Sequence, residues 1–373
     1  MAYKDLHEEP FDEGTIVKLE IFEDYAQAWI PTFVMQGVPT ICIFDFFAGT
    51  GFDKEGVAGS SPIRILEKIR EQIGNIFQKK VKIKVFLNEF EPNKKEQKKF
   101  ELLKNACSEY LETHKDMDRA IELKIFNENF EELFPKLISE IKQFPSLVYL
   151  DQNGIKFLSD KYLLELEKLT QTDSIYFVSS SYFKWLGNTD EFKKHVDLDI
   201  ELLRNNPYKF IHRNIIDQLR KKLPNNSKLK LYPFSIKKGA NIFGIIFGAK
   251  HPLAVDKFLN IAWKRNPVNG DANFDIDDDT KKTQLDIFGG RKLTKIEAFK
   301  QDVRTNVLIG KIKNNSDALN FVHKEGHIGN HAAECLKEMK KNGEIAFDGT
   351  SPLITYDNVY KAGKKMEYKI FNK

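Results

Sequence analysis

Cysteine is scarce in this chain of 373 residues, and its three copies, Cys42, Cys107 and Cys335, are scattered. They make no metal-ligand spacing, so each reads as a core or helix residue. Long apolar runs are missing too. Nothing approaches the ~18 consecutive apolar residues of a membrane-crossing helix, and Met1 to Gly14 is polar and acidic, unlike the apolar centre of a signal peptide. The expectation is a cytoplasmic protein with no membrane partner. An excess of one charge sign is also lacking, at a formal net charge of +4, but the charge is unevenly placed. Arg291 to Lys373 holds 16 Lys+Arg against 10 Asp+Glu, leaving 42 against 44 for the rest. A basic tail is either a solvated face or a nucleic-acid contact. What is abundant is phenylalanine: 30 copies, within 41% apolar and 30% charged residues, describe a globular chain with aromatic-rich packing. Its length suits two domains, or one large domain with an appended module.

The stretch Thr40 to Pro62, TICIFDFFAGTGFDKEGVAGSSP, organises the rest. Ile41 to Phe44 is an unbroken apolar run, suited to a strand buried on both faces of a parallel sheet. The run ends on Asp45. Gly49 and Gly51 then let backbone approach a ligand, and Pro62 to Ile69 reads as a helix. Strand, glycine turn and helix make a nucleotide site in which an acid at the strand end bonds hydroxyl or amino groups rather than phosphate. Two phosphate signatures are absent: Gly51-Phe52-Asp53-Lys54 lacks the Gly-Lys-Ser/Thr ending, and Gly49 with Gly51 falls short of a three-glycine dinucleotide fingerprint. The expected ligand is S-adenosylmethionine.

Lys18, Ile21, Tyr25 and Trp29 recur at helical spacing ahead of that strand, with Lys18 either near the glycine turn or at the surface. Val81 to Leu87 predicts a second strand ending on acids. Glu89, with Glu91 as fallback, is placed to meet ribose hydroxyls, because two carboxylate oxygens accept two bonds. A charged helix, Asn93 to His114, precedes a third strand at Ile121 to Phe126. Among Asn127, Glu128 and Asn129, which follow it, spacing does not separate a contact to adenine from a helix cap. A helix at Glu131 to Lys142 leads to a strand at Leu147 to Leu150, which is closed by Asp151, either a residue of the site or the start of a local Asp-x-Asn-Gly turn. Tyr162 to Leu169 adds a helix, Ser174 to Val178 a fifth strand followed by Ser179 to Tyr182, and Asn188 to Asn226 helices outside the sheet. Leu229 to Ser235 and Ile242 to Phe247 form an antiparallel hairpin across Gly239. The expected fold is α/β: a doubly wound, seven-stranded, Rossmann-like sheet of the S-adenosylmethionine-dependent methyltransferase kind, with a terminal antiparallel hairpin.

Residues 1–264 are assigned to that domain, with a helix over His251 to Trp263. Residues 265–290, rich in Asn, Gly and Asp, are assigned to a solvated linker whose acids lack the spacing of a calcium loop. Residues 291–373 predict a winged helix-turn-helix domain: helices marked by Ile296 to Val307, Ala318 to Val322 and Ile328 to Met339, then strands at Ile345 to Phe347 and Met366 to Phe371. The outward face of the third helix, the one that enters a major groove, is expected to show Asn330, His331, Glu334 and Lys337, with Asn330, His331 and Lys337 as nucleic-acid contacts. Its mixed charge leaves protein contact or dimerisation as an alternative.

Several of these features together resemble the three-Cys-motif partner protein family. The matching residues are Lys18 with Tyr25 and Trp29, the run Asp45-Phe46-Phe47-Ala48-Gly49-Thr50-Gly51, and Gly56 with Gly59-Ser60-Ser61-Pro62. Weaker matches are Glu89, Asp151 with Gly154, the His251-Pro252 helix start and the Gly326 to Gly343 helix. The family usually has proline where Thr50 stands, and one of Ser60 and Ser61 is extra. The resemblance implies a methyltransferase-like domain with a winged-helix tail, and a partner with three clustered cysteines suggestive of an iron-sulfur radical enzyme. One departure bears on activity. Similar proteins show Asp-Pro-aromatic-Gly after the fourth strand, where this chain has Asp151-Gln152-Asn153-Gly154. Gln152 and Asn153 cannot stack on a base.

Three function classes follow. The first is an S-adenosylmethionine-dependent methyltransferase-like enzyme acting on nucleic acid, with Lys18, Asp45, Gly49, Gly51, Glu89 and Asn129 at the cofactor, Asp151 at the acceptor and no metal; positioning would be its main contribution. The second is a catalytically degenerate adaptor that binds nucleic acid or the partner protein. The third is a hydrolase or nuclease with Asp45, Glu89 and Asp151 on a hard cation.

Overall fold

The computed structural model describes residues 11–56, 59–92, 97–151, 160–180, 198–239, 241–282 and 292–371. The chain divides into two compact units, Met1–Lys250 and His251–Lys373. Seven strands of the first unit form one sheet: β1 (Thr40–Asp45), β2 (Lys82–Asn88), β3 (Ile121–Phe126), β4 (Ser146–Leu150), β5 (Thr172–Ser179), β6 (Lys230–Lys238) and β7 (Asn241–Ala249). Their order is β3-β2-β1-β4-β5-β7-β6. β1 to β5 are parallel, while β7 lies antiparallel between β5 and β6. Apolar runs without alternation produce this, since β1 and β4 are covered on both faces and every residue from Ile41 to Asp45 and from Ser146 to Leu150 is buried. The order reverses between β1 and β4, and in open sheets the crevice beyond the carboxyl ends of the strands at such a reversal is where ligands bind.

The opening helix, Glu13–Gln36, starts where the Asp12 carboxylate accepts from Thr15 N–H at 3.0 Å and stops at Gly37, which takes the left-handed conformation that relieves the last carbonyls. Its inward face includes Phe22, Tyr25, Ala26 and Trp29. Two phenols fasten it to the sheet. Tyr149 Oη of β4 donates to Phe22 O at 3.0 Å, and Tyr25 Oη donates to Asp173 of β5 at 2.8 Å. That registration sets the height of Lys18, one turn before Phe22, over the end of β4.

The second unit opens on Pro252–Arg265, capped by the His251 ring, which accepts from Leu253 N–H at 3.2 Å. Helices Lys295–Leu308, Asn315–Lys324 and Gly329–Lys341 follow, with a two-stranded antiparallel wing of β8 (Ile345–Ala346) and β9 (Lys369–Ile370). Thr294 and Glu297 close a capping box on the first of the three, and Phe299, Val303, Leu319, Val322, Leu336 and Met339 fill the space between them.

The stretch read from the sequence as a solvated linker is, over its described part, folded into this unit. Asn269, Ala272 and Ile276 are fully buried. The Asn266 carboxamide donates to Ala272 O and Phe274 O, and Asp279 accepts from Lys295 N–H at 2.9 Å. Asn, Asp and Gly are used here to satisfy a tight turn rather than to stay wet. Residues 93–96, 188–197 and 283–291 lie outside the described residues, as do Gln152, Asn153, Gly154, Ser181 and Tyr182.

Candidate functional site

Asp45 closes β1 and is almost completely buried, at 1% exposure. Its two oxygens are held separately: Oδ1 accepts from Phe47 N–H at 3.1 Å, and Oδ2 accepts from Ser61 Oγ at 2.5 Å. Burial pushes its pKa up to about 6, against the two hydrogen bonds, and the nearby Asp151 adds to the rise. Ser61 opens the helix Ser61–Glu71, whose second residue, Pro62, suits a first turn without a donor. One serine therefore couples the strand end to the helix start.

Between them the chain turns through Gly49 and Gly51, both at positive φ (71° and 95°). At Gly51 a β-carbon would also sit 2.5 Å from that of Ala106, so no other residue fits. Gly49 N–H donates to Glu89 Oε2 at 2.8 Å, tying the turn to the acid just beyond β2. Burial raises Glu89 to about 7, with Asp45 contributing by like-charge repulsion and Gly49 opposing. Two carboxyl groups thus meet at neighbouring strand ends with pKa values close to neutrality.

The alternatives left open by spacing separate here. Glu91 accepts from Lys99 N–H at 2.8 Å and Phe100 N–H at 3.1 Å, so it caps the helix Lys98–Thr113, and Glu89 is the acid facing the glycine turn. Asn129 accepts from Glu131 N–H at 2.9 Å as the cap of Phe130–Gln143. Asn127 accepts from Glu91 N–H at 2.9 Å, and Glu128 pairs with Lys136. Asp151 lies just beyond β4 in an ion pair with Lys18, whose ammonium also sits 4.5 Å from the Phe177 ring centre. The structure brings Asp45, Gly49, Gly51 and Glu89 to one edge and joins Lys18 to Asp151, while Asn129 is engaged locally.

Two residues at this edge carry roles that the sequence reading did not assign. Buried Asn88 donates to Phe46 O and Glu128 O, both at 3.1 Å, and accepts from Glu128 N–H at 3.0 Å, lacing together the chain beyond β1, β2 and β3. Its signal is a carboxamide ending an apolar strand. Ser61 is the other, visible only as one of two adjacent serines. Among the described residues no three His, Cys, Asp or Glu side chains are grouped to hold a metal ion.

In the second unit, Asn330 and Lys337 are exposed on Gly329–Lys341, but His331 is buried, which corrects its placement on the outward face. His331 stands four residues before Cys335 on the inward stripe of the helix. Its ring meets Trp263 edge-on at 4.4 Å, and its Nδ1 is 3.0 Å from His327 Nδ1. Burial holds His331 down to about 4, so it is neutral at physiological pH.

No curated protein matches the chain. Residues 274–352 match the family model of the GMT-like wHTH domain, a similarity that agrees with the three helices and the wing, and the C-terminal unit carries a winged helix-turn-helix domain.

Proposed function

We propose that the first unit is an S-adenosylmethionine-binding, methyltransferase-like domain and that the winged helix recruits nucleic acid. The observation that carries this reading is the pair of buried Asp45 and half-buried Glu89, set at adjacent strand ends against a turn of left-handed glycines. Carboxyl groups kept in so costly a place are characteristic of sites. The sheet order, with its last strand in the chain inserted antiparallel between β5 and β6, agrees with a methyltransferase-like fold. The residues suit the cofactor by donor chemistry. Glu89 offers carboxylate oxygens to ribose hydroxyls, Asp45 with Gly49 and Gly51 shapes the turn for the methionine end, and the loop of Asn127 to Asn129 is left for adenine. When bound, S-adenosylmethionine supplies an electrophilic methyl group. Asp151 orients an acceptor amine, and the framework of Asn88 and Ser61 keeps the acids in register.

A specific observation favours the catalytically degenerate adaptor as second reading: Lys18 already occupies the Asp151 carboxylate. In either reading a three-Cys-motif protein is the proposed partner. Calorimetric titration with S-adenosylmethionine tests the choice. Wild type is expected to bind, Glu89→Ala to weaken binding roughly 10- to 100-fold, as loss of charged hydrogen bonds does, and Asp151→Ala to leave it within about threefold. A flat titration of the folded wild type leaves the adaptor.

A further inference from the structure

The outer face of Gly329–Lys341 is a poor fit for a polyanion. Its exposed charges, Glu334, Lys337, Glu338 and Lys341, cancel, and Glu334 is engaged by Lys300 at 2.6 Å. Lys340 is turned away, its ammonium donating to Phe347 O and Gly349 O, both at 2.7 Å. Positive charge gathers elsewhere in the unit. The turn after Lys295–Leu308 exposes Lys311 and Lys313, and the wing exposes Lys364, Lys365 and Lys369.

Backbone bonds hold these two segments side by side. Tyr368 N–H donates to Lys313 O at 2.8 Å, and Asn315 N–H donates to Met366 O at 3.0 Å. The Asn315 side chain, nearly fully buried, donates to Lys364 O at 2.8 Å and accepts from Met366 N–H at 2.9 Å. Five lysines therefore share one surface with two carboxylates, Asp317 and Glu367. The first accepts from Lys313 N–H, and the second pairs with Lys365 while both remain largely exposed. An exposed ion pair of that kind holds a lysine weakly, so it yields readily to a phosphate.

We propose that this unit grips the phosphate backbone of duplex DNA with Lys311, Lys313, Lys364, Lys365 and Lys369, and that the outer face of Gly329–Lys341 takes no major part. The inference rests on reading the unit as a nucleic-acid module and specifies which surface does the work. Lysine point charges without paired amide or guanidinium groups position a duplex but read no base edges, so binding is independent of sequence and steep in salt.

Fluorescence anisotropy of the full chain on two unrelated duplexes of about 20 base pairs, between ~50 and 200 mM salt, provides the test. Equal affinity for both duplexes is expected. Lys364→Ala/Lys365→Ala/Lys369→Ala should reduce the slope of log affinity against log salt by about 0.9 per lysine and weaken binding at least about tenfold at low salt. Lys337→Ala/Lys341→Ala should change affinity by less than about twofold. Circular dichroism confirms that both variants are folded. The proposal is overturned if the triple variant keeps wild-type affinity, or if the helix variant loses as much as the triple; in both cases the nucleic-acid reading stands. Failure of wild type to bind either duplex at the lowest salt overturns both.

Discussion

Glu89→Gln is expected to make the protein more stable at pH 8. The Glu89 carboxyl is raised from 4.5 to about 7 and the Asp45 carboxyl from 3.8 to about 6, each chiefly by burial. Both folded values lie above the unfolded ones, so the folded state holds protons that the unfolded chain has released. The contribution of each group is fully present below about pH 4 and is lost as pH rises through its folded pKa, by roughly 3 kcal/mol per group. Glutamine has the same shape, still accepts from Gly49 N–H and carries no charge to desolvate. Melting curves at pH 5 and pH 8 provide the check. The variant should gain several degrees at pH 8, at ~2–4 °C per kcal/mol for a unit of this size, and little at pH 5. A variant melting at or below wild type at pH 8 would show that this carboxylate costs the fold nothing. The same substitution should weaken S-adenosylmethionine binding, which separates a residue kept for its chemistry from one kept for its packing.

Gly244→Ala should be strongly destabilising. Gly244 lies within β7, where a β-carbon would meet His212 Cδ2 at 2.2 Å. The ring cannot retreat, because it is fully buried, with Nδ1 3.2 Å from Ser235 Oγ and Nε2 3.3 Å from Val178 O. Burial holds His212 down to about 4, so it stays neutral and acts as a packing piece. Overpacking of this kind costs about 1–3 kcal/mol, and with a rigid aromatic obstacle the upper end applies. Denaturant midpoints for Gly244→Ala, His212→Ala and the double variant form a cycle. The double variant should be less damaged than the two single effects predict when added. Strict additivity would mean that the glycine and the ring do not compete for the same space.

Most strands were legible because the first unit folds by burial on both faces. Unbroken apolar runs ending on polar residues mark β1, β4 and β5, and the structure moves their bounds by only a residue or two. Asp45 could be picked out as the acid closing such a run, and Glu89 as an acid just beyond β2, where apolar residues first alternate with Lys82 and Lys84. Ser61 and Asn88 could not, since their partners are 16 and 40 or more residues away and only the folded sheet brings them together. The Asn, Gly and Asp stretch after Arg265 was misread because turn-forming residues look alike whether their side chains bond water or the chain's own backbone. His331 was misread through its chemistry. Polar residues suggest a wet face, yet its spacing to Cys335 and Met339 already placed it on the buried stripe.

Trp263 has a practical corollary for anyone cutting the gene. Its indole Nε1 donates to Gly326 O at 2.9 Å, its ring lies against His327 and His331, and Gly270 makes room for it. Family resemblance begins at residue 274, eleven positions after this anchor. A recombinant tail started there would leave an aromatic seat bare and should aggregate or melt early, whereas one begun at His251 should be purified as a well-behaved piece.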